Sequence, residues 1–285
     1  MKRISAATAL LLIILCSCCK EVKPLRLMSF NIEHTSGTFE KDSTTSWEAR
    51  HEPVIAMLRD VQPDVAFFQE SQKAHVEDME KDLADSYSLV KYDQKGGEYY
   101  YMSFIYRKDR IELIECEPRW FSPNPSIPFT SGEWDPKFTK MAVLATFRDK
   151  ATGKEFYMAG AHFFPSSDKK ILCSRLMAQW AEEKAGDRMP AVACGDMNLT
   201  PDDAGLQPLY DIMEDSVDAA KISDGRERVT FQRWGKGKGK GKVLDHIFFR
   251  GLEPLEYHVV DDCEKYGLKY LSDHNAIYCD FLFTE

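Results

Sequence analysis

The chain has 285 residues, of which 44% are hydrophobic and 29% charged, and its formal net charge is −9. This is the composition of a globular protein with enough apolar material for a sizeable core, and it excludes disordered, fibrous and multi-span membrane proteins. The acidic balance argues against a module that binds DNA through bulk positive charge. It is compatible with a nuclease, provided that phosphate is bound locally by metal ions or a basic loop.

The first nineteen residues have the layout of a secretory signal. Two basic residues are followed by the apolar run Ile4–Leu15, which is too short to cross a bilayer as a permanent helix. The run ends in Leu15-Cys16-Ser17-Cys18-Cys19, which resembles a bacterial lipobox. We expect a lipid anchor at Cys18, with Cys19 as the second choice, and hence a cell-envelope lipoprotein in the periplasm or on the outer-membrane surface. The alternative is an ordinary signal peptide that is cleaved.

Residues 20–285 read as one domain in which strands alternate with helices, without repeats or a linker. The predicted strands begin with Leu25–Ile32 and Asp64–Gln69. Two hairpins follow, one of Tyr99–Arg107 with Arg110–Cys116 and one of Lys140–Arg148 with Glu155–Phe163. The remaining strands are Pro190–Cys194, Val243–Phe249, Tyr257–Val260 and Ala276–Phe283. Hairpins and strand–helix–strand units together predict mixed sheets.

Apolar residues at helical spacing predict two helices, one between the first two strands and one before Pro190. The first helix carries Trp47, His51, Val54, Ile55 and Leu58 on one face, and the second carries Ile171, Leu172, Arg175, Leu176, Gln179 and Trp180. The segment Phe121–Pro136 is rich in Pro, Ser and Gly and is predicted to be a long surface loop.

The cysteines beyond the leader do not predict a zinc site, and at least one of them stays free even in an oxidising compartment. They are odd in number, form no Cys-x-x-Cys pair and lie mostly within apolar runs, so we expect small core residues. These cysteines are Cys116, Cys173, Cys194, Cys263 and Cys279.

Polar side chains end or interrupt most of the predicted strands. Taken singly, such residues are usually turn, cap or surface residues, but their repetition at strand ends, where loops converge over a rigid base, predicts a site. They are Asn31, Glu70, His162, Asp196 with Asn198, Asp245 with His246, and Asp273 with His274. Carboxylate and amide oxygens suit a hard cation, Mg²⁺ or Mn²⁺, better than zinc. A further carboxylate that activates water and a His that neutralises phosphoryl charge would complete a site for phosphate ester hydrolysis.

Six short motifs occur in the order typical of the endonuclease/exonuclease/phosphatase superfamily, and the chain resembles that superfamily from Leu25 to Phe283. They are Met28–Ile32, Phe68–Glu70, Ala161–Phe163, Gly195–Asn198, Leu244–Ile247 and Ser272–His274. Gly-Asp-x-Asn and Ser-Asp-His are specific in combination. The resemblance implies an α/β fold of the α+β type, a deoxyribonuclease I-like four-layer sandwich of two mixed β-sheets flanked by helices.

The resemblance also implies metal-binding residues. Glu70 resembles the main metal-binding carboxylate of the superfamily, Asn31 the polar residue beside it, and Asp273 a second carboxylate near the metal. The implied cofactor is Mg²⁺ or Mn²⁺.

Five further residues take catalytic roles in the same comparison. Asp196 resembles the residue that orients or deprotonates the attacking water, and Asn198 resembles one that contacts the phosphate. His274 resembles the His at the scissile phosphate, with Asp245 as its carboxylate partner. His162 resembles the His that the nuclease, sphingomyelinase and deadenylase branches place near the phosphate or leaving group. AP endonucleases usually have a Tyr there, which argues against DNA-repair specificity.

The substrate is left open by the sequence. A phosphodiester substrate, including nucleic acid, is preferred; alternatives are a phosphorylated sugar or inositol, a sphingomyelin-like lipid, or a non-catalytic binding lipoprotein. The Lys-Gly run of residues 235–242 would gather a polyanion or form a solvated tip. Aromatic residues around the long loop would pin it to the body, or else stack on substrate. They are Trp120, Phe121, Trp134 and Phe138. We expect a monomer that contacts the membrane through its lipid anchor, with no protein partner evident.

Overall fold

The computed structural model describes residues 23–35, 44–134, 137–165, 168–236 and 241–284. The leader with its predicted lipidation site at Cys18, and the centre of the Lys-Gly run, lie outside the described residues. Among the helices of the described segments, none combines the length and apolar character needed to span a bilayer.

The described residues form thirteen strands in two sheets. The strands are β1 (Leu25–Asn31), β2 (Val65–Gln72), β3 (Tyr87–Asp93), β4 (Tyr100–Arg107), β5 (Ile111–Trp120), β6 (Met141–Asp149), β7 (Glu155–His162), β8 (Ala191–Asp196), β9 (Glu214–Asp215), β10 (Ile222–Ser223), β11 (Asp245–Arg250), β12 (Leu252–Val260) and β13 (Ala276–Phe283). The helices are α1 (Trp47–Val61), α2 (Lys73–Asp82), α3 (Lys170–Ala185), α4 (Gln207–Tyr210) and α5 (Ser216–Ala219).

Each sheet has a parallel pair of strands at its centre. The first sheet has the order β10-β12-β13-β1-β2-β4-β3, with β1 parallel to β2, and the second has the order β5-β6-β7-β8-β11-β9, with β7 parallel to β8. Strands β13 and β11 run antiparallel to these pairs. The ends of the parallel pairs therefore meet the beginnings of β11 and β13 at one edge of the molecule.

Apolar residues fill three layers, one between the sheets and one under each set of helices. Side chains such as Phe67, Phe104 and Phe147 pack between the two sheets. Helices α1 and α2 cover the outer face of the first sheet, and α3 covers that of the second. This arrangement confirms the predicted four-layer sandwich of two mixed sheets flanked by helices.

The predicted hairpin of Tyr99–Arg107 with Arg110–Cys116 is wrong. Both strands form, but β4 pairs with β2 and β3 in the first sheet, whereas β5 pairs with β6 in the second. Arg110, at the crossover, contacts Asp64 at 2.7 Å and Asp149 at 3.4 Å, so it joins the two sheets where the chain passes between them. The second predicted hairpin is confirmed as β6 and β7.

The long loop after β5 is only partly at the surface. Phe121 is fully buried and stacks on Trp180 at 5.6 Å, and Trp120 is also buried. These contacts agree with the prediction that aromatic residues pin the loop to the body.

The sequence analysis did not predict strand β3 or helix α2, both of which the structure contains.

The cysteines predicted to be core residues are free thiols. Four of the five are buried, and Cys116 is partly buried. Burial raises the pKa of Cys116 to about 12, which keeps this thiol protonated and unreactive at neutral pH.

Candidate active site

The strand-end residues predicted from the sequence converge on one cavity of about 280 Å³ between the edges of the two sheets. Glu70 comes from the first sheet, His162 and Asp196 from the second, and Asp273 and His274 from the loop before β13. Asn198 also lines this cavity. Asn31 and Asp245 lie directly behind it, where they contact lining residues. All eight predicted site residues are thus brought together.

Glu70 is aimed into the cavity by an irregularity in β2. The pairing of β2 with β4 skips between Phe68 and Ser71, so that two residues of β2, including Glu70, lie opposite one residue of β4. Glu70 has φ of 62°, in the left-handed region that residues other than glycine rarely adopt. Bulges re-aim side chains in this way, and backbone strain of this kind is concentrated at functional sites.

Asn31 joins the two sheets at the base of the cavity. Its Nδ2 donates to Glu70 Oε1 at 3.0 Å and to Asp196 Oδ2 at 3.1 Å, and its Oδ1 accepts from the Glu33 amide at 3.1 Å. The amide therefore holds two carboxylates of opposite sheets close together despite their mutual repulsion. Its predicted part in metal binding stays a prediction.

Arg50 fixes the loops on either side of this base. It is fully buried, and its guanidinium donates to the carbonyl oxygens of Ile32 at 2.6 Å and Leu271 at 2.9 Å. The loop after β1 and the loop that carries Asp273 are thereby tied to helix α1. Burial lowers the pKa of Arg50 to about 10, which leaves the group charged at neutral pH.

Glu70, His162 and Asp196 have the geometry of a cation site. One ligand atom from each lies within 4.8 Å of the others. Burial and the nearby charge of Lys140 lower the pKa of His162 well below its ordinary value, so the imidazole is neutral and has a free lone pair for a metal. Asp273 lines the same cavity, and its Oδ1 lies 3.4 Å from Ser272 Oγ. The oxygen-rich set fits Mg²⁺ or Mn²⁺, with one His as an additional donor.

Asp196 and Asn198 form a tight turn at the end of β8. The Asn198 amide donates to Asp196 Oδ1 at 3.0 Å, Asn198 has φ of 52°, and its side-chain Nδ2 donates to the Phe163 carbonyl at 3.2 Å. Burial, together with the charge of Asp245, raises the pKa of Asp196 to about 6, although the charge of His274 opposes this. A carboxylate with a pKa near neutrality is suited to accept a proton from water.

His274 is held by Asp245 in the interior. Its Nδ1 lies 2.8 Å from Asp245 Oδ2, and its Nε2 lies 3.6 Å from Asp196 Oδ2. Phe231 packs against the imidazole, with ring centroids 4.6 Å apart. Burial would lower the pKa of His274, but the carboxylates of Asp245 and Asp196 outweigh burial and raise it well above its ordinary value. His274 therefore presents a positive charge at the cavity.

His246, beside Asp245 in the sequence, faces away from the site. Its Nδ1 lies 2.8 Å from Asp215 Oδ2 and its Nε2 lies 2.9 Å from the Leu199 carbonyl, with the pair fully enclosed. Successive strand residues point to opposite faces of a sheet, so of these two neighbours only Asp245 serves the cavity.

Sequence reasoning missed several residues that line the cavity, among them His34 and Lys140. His34 Nε2 lies 3.1 Å from Glu70 Oε2, and Lys140 is buried in the cavity wall. His34 lies three residues after Asn31, at the end of the same predicted strand, and this position could have identified it as a site residue. Lys140 begins the predicted strand Lys140–Arg148, which pairs with the predicted strand Glu155–Phe163. The register of this hairpin places Lys140 and His162 at the same edge of the sheet.

The model of the endonuclease/exonuclease/phosphatase family matches residues 28–274 of the chain. This chain belongs to that family. Like other members of the endonuclease/exonuclease/phosphatase family, it is a hydrolase that acts on phosphate ester bonds.

Individual relatives are distant in sequence, and the solved structures among them share the fold. The chain is 26% identical over 253 residues to the uncharacterized protein L388 of Acanthamoeba polyphaga mimivirus, covering 84% of this chain and 90% of that protein. The mannosyl-6-phosphatase of Bacteroides thetaiotaomicron has a TM-score of 0.79 at 20% identity, covering 91% of this chain and 100% of that one. The human Nocturnin catalytic domain with bound sulfate has a TM-score of 0.70 at 19% identity, covering 92% and 95% of the two chains.

Proposed function

We propose that this family member is a Mg²⁺-dependent phosphoesterase in which Asp196 and His274 assist attack by water. The observation that carries the proposal is the meeting of two distinct charge centres across the sheets. Glu70, His162 and Asp196 lie close enough together to hold a cation, and the Asp245–His274 pair places a positive imidazolium 3.6 Å from Asp196. Bound there, the divalent cation would polarise the phosphoryl group and neutralise its developing charge.

The side chains divide the remaining work. Asp196 orients the attacking water and accepts its proton, while Asn31 holds the Asp196 carboxylate in place. Asn198 contacts the phosphate from the end of the same turn. His274 stabilises the charge that builds on a phosphoryl oxygen, and Asp245 fixes its ring and protonation state.

Two classes of substrate are carried forward from the sequence. The first is a phosphodiester, nucleic acid included, for which the Lys-Gly run would supply local positive charge. The base of this run adjoins the site, because the main chain of Phe231 forms β-bridges with both Lys242 and His274. Residues 237–240 lie outside the described part.

The second class is a small phosphate monoester, which the cavity of about 280 Å³ favours because this volume is at the low end for small-molecule sites. The printed activity of the structurally similar Bacteroides protein, a mannosyl-6-phosphatase, supports this second class.

We also propose that the leader targets the protein to the cell envelope and that Cys18 carries a lipid anchor. The support is the apolar run Ile4–Leu15 and the lipobox-like sequence that ends it. Mass spectrometry of the membrane fraction tests this: a diacylglyceryl-modified Cys18 is expected, and a free amino terminus beyond Cys19 would contradict the anchor.

Hydrolysis by the leaderless protein tests the catalytic proposal. The panel holds single- and double-stranded DNA, RNA, sphingomyelin, an inositol polyphosphate, mannose 6-phosphate and a generic diester, each with Mg²⁺ and with chelator. The Asp196→Ala variant is the matched blank. Chelator-sensitive release from one class supports the proposal and identifies the substrate class. Silence on every substrate would favour a binding lipoprotein that retains the fold.

A further inference from the structure

Lys140 is a buried lysine in the wall of the active-site cavity. Lys140 is only 7% exposed, and it lines the same cavity as Glu70, Asp196 and His274. Within the described residues, no hydrogen bond or ion pair is made by its ammonium group. A buried charge without a partner is costly, so buried lysines are normally paired.

The main chain of Lys140 is fixed from both sides. Its amide donates to Ser131 Oγ at 2.9 Å, and its carbonyl accepts from the Phe121 amide at 3.0 Å. Both partners belong to the loop after β5, whose Phe121 is packed in the core. The loop therefore fixes the point from which the lysine side chain enters the cavity.

The surroundings of the ammonium are the catalytic groups themselves. Burial lowers the pKa of Lys140 to about 8, while the carboxylates of Glu70 and Asp196 favour its charged form; that charge adds to burial in disfavouring protonation of His162. Lysine has three donors and no acceptor, so an anionic oxygen entering the cavity is the ligand that it lacks.

We propose that Lys140 binds a non-bridging oxygen of the substrate's phosphate group and so orients the phosphate between the Glu70 and His274 sides of the cavity. The inference rests on the proposed function and adds a residue to it. The rival explanation is that Lys140 only offsets the charge of the carboxylates around it. The two explanations differ in one measurable property, which is binding of phosphate itself.

The experiment measures binding of inorganic phosphate to the leaderless protein by calorimetry, in the presence of Mg²⁺. In Lys140→Met we expect phosphate affinity to fall about 10- to 100-fold, the scale of one lost charge-assisted hydrogen bond, with recovery in Lys140→Arg. The control is Lys154→Met. Lys154 precedes β7, at the end of that strand away from His162, and its ammonium donates to the Thr284 carbonyl at the surface. Its affinity should equal that of the unmodified protein.

Catalysis supplies a second readout for the substrate found in the panel. We expect kcat/KM of Lys140→Ala to fall about 10²-fold, and part of it to return with added propylamine, whose ammonium can occupy the vacated space. Unchanged phosphate affinity in Lys140→Met would overturn the inference, as would the absence of amine rescue in a folded Lys140→Ala. Failure of the proposed function is separate: the unmodified protein would then hydrolyse nothing, while the phosphate-binding comparison would still decide the part played by Lys140.

Discussion

Replacing Asp245 by Asn should reduce turnover far more than it reduces stability. The change removes a negative charge 2.8 Å from His274 Nδ1, with the two side chains only 1% and 5% exposed. At this distance two unit charges interact by about 6 kcal/mol with an effective dielectric constant of ~20, which sets an upper limit of roughly 10⁴-fold in rate. Asp196 remains 3.6 Å from Nε2 and keeps part of the stabilisation. We therefore expect kcat to fall about 10²- to 10⁴-fold.

The assay is steady-state hydrolysis with Mg²⁺, well below the melting temperature of each variant. Asp215→Asn is the matched control, because Asp215 pairs with His246 at the same 2.8 Å distance but away from the cavity. Both variants should lose stability, and only Asp245→Asn should lose most of its turnover. Equal losses of turnover in the two variants, or more than a tenth of the original rate in Asp245→Asn, would refute the reasoning.

The remaining predictions concern the metal, pH and the packing of the sheets. Mg²⁺ should raise the melting temperature, and Glu70→Gln should abolish that rise; a rise of the same size in the variant would remove Glu70 from the cation site. Asp215 outweighs burial and raises the pKa of His246 above 6.5, so its stabilising contribution is complete below pH 6.5 and is lost as pH rises through the folded-state pKa. The difference in urea midpoint between the unmodified protein and His246→Phe should accordingly narrow as pH rises from 6.5 through the folded-state pKa of His246. A Cβ at Gly160 would overlap the Phe67 ring between the sheets, so Gly160→Ala should cost about 1–3 kcal/mol in urea denaturation, whereas Gly132→Ala, where the added atom meets nothing within 4 Å, should cost little.

Residues at strand ends were predictable because their position depends on local sequence. A polar residue after an apolar run, as at Glu70 or Asp196, marks where a strand leaves the core, and parallel strands bring such ends to one edge. The four-layer sandwich was predicted from the family resemblance of the motifs and not from hydrophobic periodicity. Periodicity identifies a strand without saying which sheet it joins, which is why β4 and β5 were read as a hairpin. The decisive contacts there are those of Arg110 with Asp64 and Asp149, which are distant in sequence.

Lys140 and the bulge at Glu70 show a second limit. A lysine at the start of a strand is ordinarily exposed, and its burial here depends on a loop that folds over it through Ser131 and Phe121. The bulge arises from the pairing of β2 with β4, and the sequence of β2 alone gives no sign of it.

The place of β13 in the first sheet determines when the enzyme can become active. This strand lies between β12 and β1, so the first and last strands of the described residues are neighbours. Asp273 and His274 directly precede β13 and reach the cavity only once it has docked beside β1. A nascent chain whose β13 is still within the ribosome therefore holds Glu70 and Asp196 without a docked His274, and its hydrolytic capacity begins only when β13 has docked beside β1.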